Sequence, residues 1–512
     1  MTALINATAP AATMVFFITG SVAYADVTAS DVWSDWSSYL AGFGYQVSGD
    51  ETQSGNTLTV ENLKMTMEMP DGDDSAGVVV SQMGQLQFQE NGDGTVSVLF
   101  PDVMPITVSV EGSDDIQSTV AMEYRTSGLD FVVSGRPDAM TYDYAADQMT
   151  VALVDIEAKP DDVEFGTVEM TINDLAGTAD VTINDALRQT QGNMSSGPAS
   201  YTLDMTDSNS GERVQASGEF NDFAYTGTST TPVAASDMDI AALLKAGLDM
   251  SGRLEHGGGT STFTVQDGDE TMDGNTRTDS GDLEFAMSQE QMRYGGTANG
   301  LAMSFSGADV PFPIEIAMEK SAFGLTAPIS ESEEPQDFAL SITLGDFTMS
   351  DMIWAMFDPA GALSRDPATV AIDLAGKAKM FVDMMDPDRM AEMETGQEMF
   401  GELNALTIND ITVRAAGAEL TGVGDFTFDN SDLASFGGMP APEGEANLKL
   451  VGGNGLLDKL VEMGLVPEDQ AMGARMMMGL FSVPSEQEDD TLTSKIVVNE
   501  EGHVLANGQR VK

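Results

Sequence analysis

Apolar and polar residues alternate one for one along most of this chain, and a period of two is the pattern of a β-strand with one face on a core and one in water. Residues 57–69 place Leu58 and Val60, then Leu63, Met65, Met67 and Met69, on the apolar side, with one slip at Glu61-Asn62 that reads as a bulge. Residues 95–100 begin the same way. Between Gln89 and that strand, Asn91-Gly92-Asp93-Gly94 supplies residues tolerant of positive φ, the chemistry of a hairpin turn. Comparable runs recur at 151–156, 167–172, 178–183, 260–265, 283–287, 298–305, 314–318, 338–344, 369–374, 403–413, 419–428, 445–450 and 492–498. The expected fold is mainly β, a large antiparallel, meandering and curved sheet system. Helices are too few to serve as βαβ crossovers.

Five short amphipathic helices punctuate the strands. Ser30 reads as the cap of residues 31–41, whose Val32, Trp33, Trp36, Tyr39 and Leu40, with Phe43, form one apolar stripe, and Gly42 reads as the stop. Residues 237–246 and 456–463 each end in a Gly followed by an apolar residue. Ser350 caps a fourth through Trp354, Met356 and Phe357. Pro467 opens a fifth carrying Met472, Met476, Met477 and Leu480. A short helix followed by several strands leaves room for a weak internal repeat. Such helices would plug or cover open sheet ends, since unpaired edges invite association.

Composition breaks divide the chain into a leader, residues 1–25, an N-terminal β-rich region with its leading helix, 26–230, a central β-rich region, 231–395, and a C-terminal β region with two helices, 396–512. The boundaries follow the Thr- and Ala-rich stretch 226–235 and the acidic, irregular stretch 387–402. Another loop is expected at 330–337.

The leader has no charged side chain, an apolar centre at Met14-Val15-Phe16-Phe17-Ile18, and Ala23-Tyr24-Ala25 before Asp26. Small residues three and one before a cut after Ala25 fit a signal-peptidase pocket, and the apolar run is short of the ~20 residues of a membrane-spanning helix. The expectation is an exported, periplasmic protein with no transmembrane helix in its mature chain, the outer membrane or extracellular space being the alternatives. Eighty-three Asp and Glu against 22 Lys and Arg give a net charge of −61, which repels phosphate backbones, so nucleic acid is not an expected partner. Cys is absent, which removes thiol nucleophiles, Cys-ligated zinc and disulfide staples. A hydrophobic fraction of 42% still supplies a core.

Catalytic motifs are missing. The two histidines, His256 and His503, have no partner at metal-ligand spacing, and no nucleophile elbow, zinc-helix pair or phosphate loop occurs. Asp269 and Asp273, with Gly274 after them, resemble the opening of a calcium loop, but the twelfth position is Ser280 instead of a bidentate Glu. Asp71-Gly72-Asp73-Asp74 has less pattern still. Hairpin turns select the same residues for backbone reasons. The 35 Met residues serve as core filler or as an adaptable apolar groove.

The stretch Trp354-Ala355-Met356-Phe357-Asp358-Pro359-Ala360-Gly361-Ala362-Leu363-Ser364-Arg365-Asp366-Pro367-Ala368-Thr369 resembles the central signature of the family catalogued as domain of unknown function 2125. Leu420-Thr421-Gly422-Val423-Gly424-Asp425-Phe426, Val32-Trp33 through Gly44-Tyr45, and Gly92-Asp93-Gly94-Thr95-Val96 are similar too, so the likeness spans nearly the whole mature chain. Ser364 stands where that signature is expected to hold Pro. The resemblance implies an exported protein with a coherent fold and names no reaction. Arg365, bracketed by Asp358-Pro359 and Asp366-Pro367, reads as a turn clamp or as the holder of an anionic ligand group at a groove mouth.

These readings leave three functions. The first is a noncatalytic exported protein whose curved sheet offers an apolar groove to a lipid-like or polypeptide client, with no cofactor. The second is a calcium-dependent or carboxylate-based envelope hydrolase, and the third an outer-membrane β-barrel. Aromatics at 7% and the ending Val511-Lys512 count against the barrel.

Overall fold

The computed structural model describes residues 26–68, 78–111, 117–157, 163–184, 186–207, 210–233, 240–307, 310–386, 389–390 and 399–512. Ala25 and the leader before it, Asp71, Asp73 and Asp74, and the start of the second expected helix lie outside these residues.

The protein is mainly β, and among the described residues its strands join one 29-stranded antiparallel sheet. After helix α1 (Ala29–Gly42) come β1 (Gln46–Ser54), β2 (Thr57–Glu68), β3 (Val78–Met83), β4 (Leu86–Glu90), β5 (Val96–Leu99), β6 (Val103–Glu111), β7 (Gln117–Ser127) and β8 (Asp130–Arg136). Next are β9 (Ala139–Glu157), β10 (Val163–Ile183), β11 (Leu187–Ser196), β12 (Ala199–Asp207), β13 (Arg213–Phe220) and β14 (Phe223–Pro232). Helix α2 (Ile240–Lys245) precedes β15 (Asp249–His256), β16 (Gly259–Asp267), β17 (Glu270–Thr278), β18 (Ser280–Met287), β19 (Gln291–Gly307), β20 (Val310–Pro328) and β21 (Gln336–Met349). Helix α3 (Asp351–Phe357) leads to β22 (Ala368–Met380), β23 (Gly401–Ala415), β24 (Ala418–Asp429) and β25 (Ala441–Val451). Helices α4 (Gly453–Glu462) and α5 (Glu468–Phe481) then precede the short β26 (Val483–Pro484), β27 (Thr491–Val498), β28 (Val504–Ala506) and β29 (Gln509–Arg510).

Long strands alternate with pairs of half-length strands laid end to end. One edge of β2 carries β1, and its other edge carries β4 and β3 in tandem. Two half-width rows, β4–β5–β8 and β3–β6–β7, converge on β9, which pairs with β10. The arrangement repeats from β10. The rows β11–β14–β15–β18 and β12–β13–β16–β17 converge on β19, and a simple meander runs from there to β29. About twenty rows at ~4.8 Å spacing make a ribbon on the order of 100 Å long. The ladder does not close on itself: among the described residues β1 and β29 do not pair. It also passes without a break through residues 226–232, which are strand β14, and across residue 395 through the β22–β23 pairing.

Several of the long strands change the parity of their apolar residues partway along. In β2, β10, β19 and β21 the change falls at a residue with positive φ: Asn62, Asp174, Gly300 and Asp346. At Asn62 the register against β1 steps between Ser48 and Asp50, so the slip at Glu61-Asn62 is a bulge. Such a residue bends its strand and restarts the alternation. Leu58 and Val60 before Asn62 and Leu63 after it join one hydrophobic cluster, so the step keeps the apolar residues on one side of a bent sheet. The result is a bent sheet with one continuous apolar side, the trough.

The expected hairpin at residues 91–94 joins β4 to β5. Gly92 and Gly94 have φ of 78° and 89°, and the Asp93 carboxylate accepts from the Thr95 hydroxyl (2.7 Å) and backbone N–H (3.1 Å), which together hold its pKa below the usual range. Helix α1 differs from the sequence reading in its cap and in its stop. The α1 cap is Thr28, not Ser30, because Thr28 and Asp31 exchange hydrogen bonds in a capping box. The α1 stop is Gly44, not Gly42. Its left-handed φ lets the Tyr45 N–H reach Leu40 O (3.2 Å), as Leu248 reaches Leu243 after Gly247 and Leu465 reaches Leu460 after Gly464.

Candidate functional site

Directly opposed residues in an antiparallel ladder share a face, so the trough lining can be followed across the ribbon. It starts at Leu58, Phe88 and Val98, continues from Val96 through Val133, Tyr142 and Ala179, and crosses Gly192, Gly227 and Gly252. From there it runs through Phe285, Tyr294, Leu325, Leu340, Leu374 and Ile408, then Gly424, Ala446, Ile496 and Ala506. A second stripe, on the other half of the bent strands, passes through Val168, Leu203, Ala216, Phe263, Gly274, Phe305 and Ile314. The neighbouring register, on the outer face, holds Thr141, Asp180, Gln191, Thr228, Ser251, Ala286, Arg293 and Thr326, and farther on Thr407, Asp425 and Glu445. The charge of the chain therefore lies outside the trough along this register.

Glycines make the lining shallow. A Cβ on Gly252 would sit 2.5 Å from the Phe285 ring, and one on Gly376 would sit 2.6 Å from the Phe338 ring, because each ring lies over the glycine of the adjacent strand. Flat rings spread apolar surface over the floor without filling the space above it. Gly252→Ala is expected to push the Phe285 ring off the floor and cost about 1–3 kcal/mol by overpacking. Urea unfolding reads that loss, and Phe285→Leu in the same chain should recover part of it.

The N-terminal end of the trough is plugged. Helix α1 lays Val32, Trp33 and Trp36 onto Leu58, Val60, Phe88, Val96 and Val133, with Trp36 edge-on to Phe88 at 5.5 Å between centroids. The Trp33 indole N–H donates to Glu51 (2.7 Å), fixing the helix to β1. Behind α1, Asp35 is buried, accepting from the Tyr142 hydroxyl and pairing with Arg188. Burial, with the Asp35 charge beside it, pushes the Tyr142 hydroxyl far above its ordinary pKa, so it stays protonated and donating.

Past α1 the same stripe is open. Phe88, Val96 and Val133 are 0% exposed under the helix, whereas Leu283, Phe285, Tyr294, Phe323, Leu325, Leu340, Ile342 and Leu344 are 38–47% exposed in mid-ribbon. Helix α2 packs Leu244 and Leu248 against Ile329 at one rim beside Met250, Met287 and Met292, and Lys245 pairs with Asp383 there (2.8 Å). At the C-terminal end Ser494, on the trough side of β27, donates to Phe481 O at the end of α5. The outward residues of α5, Met472, Met476, Met477 and Leu480, are exposed and are not core filler.

The residues singled out by sequence take distinct places. Asp358 is fully buried after α3, its carboxylate accepting backbone N–H groups from Ala362 (2.8 Å) and Leu363 (2.9 Å). Burial opposes its charge, but the Leu363 and Ala362 N–H groups and the nearby Arg365 outweigh it and hold its pKa below the ordinary value. Arg365 itself pairs with Asp351 at the start of α3, and Asp366 accepts from Ser364. The three residues therefore fix one turn onto one helix. Asp358→Asn should lower the thermal midpoint at pH 7. With the folded pKa below the unfolded ~3.9, the carboxylate contributes fully above that value and progressively less below it, so the gap between variant and parent should shrink on acidification.

Asp269 lies in the β16–β17 turn and Asp273 within β17, where it accepts from Thr264 (2.6 Å). Among the described residues no group of three or more His, Cys, Asp or Glu is placed to hold a metal ion. His256 closes β15 against Phe220 and Phe223, and its Nδ1 accepts from the Gly258 N–H (3.2 Å). No helix among the described residues is long and apolar enough to cross a membrane. Sequence reasoning missed Asp35, Tyr142 and Arg188, whose only local signal is a lone Asp on the stripe side of α1. Comparison with family models, curated proteins and solved structures finds no match.

Proposed function

We propose that this is an exported, periplasmic, noncatalytic protein that holds the acyl chains of a lipid-like client in its trough. The observation that carries the reading is the change in exposure along one stripe, buried where α1 covers it and open from Leu283 to Leu344. The eight open side chains leave on the order of 500 Å² of apolar surface in water, at the upper end of what a monomer's largest patch exposes. Covering that area is worth roughly 12 kcal/mol before the cost of association.

An alkyl chain suits this lining better than a polypeptide does. An extended peptide gains affinity by adding backbone hydrogen bonds to a sheet edge, and mid-ribbon strands such as β20 and β21 have both edges already paired. A hydrocarbon asks only for apolar area. The resemblance read around Trp354 to Asp366 agrees with export.

Native mass spectrometry with lipid extraction, on protein purified from the periplasm, tests the proposal. Bound acyl lipid in the intact protein, recovered in the extract, is the expected result. Protein free of lipid across several preparations, or protein carrying peptide instead, contradicts it.

A further inference from the structure

We propose that the pocket between α1 and α2 is a binding site for one uncharged fatty-acyl ester, its carbonyl facing Arg188. The pocket has a volume of about 210 Å³, with Tyr39 from α1 and Phe43 just after it, Leu243 from α2 and Leu248 beyond it, Ile183 from the end of β10 and Val233 just after β14. Arg188 forms part of its wall. Ile183 and Arg188 are opposed on the trough side of β10 and β11, so the pocket is the enclosed end of the apolar stripe.

The class of head group follows from the charges already there. Nη1 of Arg188 pairs with Asp35, and the guanidinium lies 4.6 Å from the Tyr39 ring centroid. The Arg188 side chain keeps 12% of its surface accessible, so a neutral oxygen at this wall gains a charge-assisted donor. Asp35 has already neutralised the guanidinium, and Asp31 also lines the pocket. A carboxylate or phosphate would therefore add unbalanced negative charge beside two aspartates, whereas an ester carbonyl accepts the hydrogen bond and adds none. The alkyl chain then lies against Phe43, Leu243 and Leu248.

The proposal rests on the trough reading for its class of ligand, and a short-chain probe separates the two. Isothermal titration of the full chain with 1-decanoylglycerol, kept below its aggregation concentration, should give one equivalent bound. Decanoate should bind at least about tenfold more weakly, and so should decanoylglycerol to Val233→Trp, which fills the pocket from an exposed rim position without touching the ion pair. No binding to the parent protein, equal binding to Val233→Trp, or decanoate binding as well as the ester overturns the pocket site. If long-chain lipid is retained on purification while decanoylglycerol does not bind, the pocket fails and the trough stands. If decanoylglycerol binds and no long-chain lipid is found, the trough fails and the pocket stands.

Discussion

Replacing Asp35 by Ala is expected to destabilise the N-terminal end of the trough by about 3–5 kcal/mol, the cost of leaving a buried charge without its partner. Asp35 and Arg188 lie 153 positions apart in sequence, and Arg188 is 12% exposed, so the orphaned guanidinium has little water to turn to. The Tyr142 hydroxyl loses its acceptor in the same variant. Replacing both partners together, Asp35→Leu with Arg188→Met, removes the orphan along with the pair and should cost far less than the single change. Trp33 and Trp36 sit on α1, so tryptophan fluorescence during urea unfolding in a Trp354→Phe background reports this end of the molecule. A single variant no less stable than the double would mean that the ion pair is not what holds α1 over the sheet.

The second large effect is expected from Leu325→Glu. Leu325 stands between Tyr294 and Leu340 on the open floor and is 38% exposed, so the empty trough can hydrate a carboxylate there and the fold should persist. A bound alkyl chain would strip that water, and burying an ionised or unpaired carboxyl costs several kcal/mol. Each 1.4 kcal/mol is a factor of about ten in affinity, so lipid retained through purification should fall by at least about tenfold. Thr326→Glu, one residue along and on the outer face beside Arg293, should leave retention unchanged. Equal loss in both variants would point to unfolding, and equal retention would remove the trough floor from the binding surface.

Strands such as β16, where Phe263 and Val265 alternate with Thr262 and Thr264, are legible in the alternation. Strands β11, β14 and β15 are not, because Gly192, Gly227 and Gly252 occupy the apolar positions and the rings of their neighbours supply the surface. Period two also says which residues share a face only while the pleat is regular. Whether Leu58 and Leu63 point to one side or to two depends on the φ of Asn62, which no pattern of hydropathy records. Ser30 and Thr28 are both good caps, and Asp31 reaching back to the Thr28 N–H decides between them. The Asp35–Arg188 pair joins a helix to a strand 153 positions away, a contact that only the folded sheet brings about.

The most direct test of the trough is photocrosslinking from two adjacent positions. Ile342 opposes Phe323 and Ile372 on the floor, while Thr343 opposes Ala322 and Ala371 on the outer face. A benzophenone side chain placed at residue 342 and irradiated with lipid-bearing protein should yield an acyl-lipid adduct, and the same group at residue 343 should yield none. Adducts of equal yield at both positions, or at residue 343 alone, would contradict a client held against one face of the sheet.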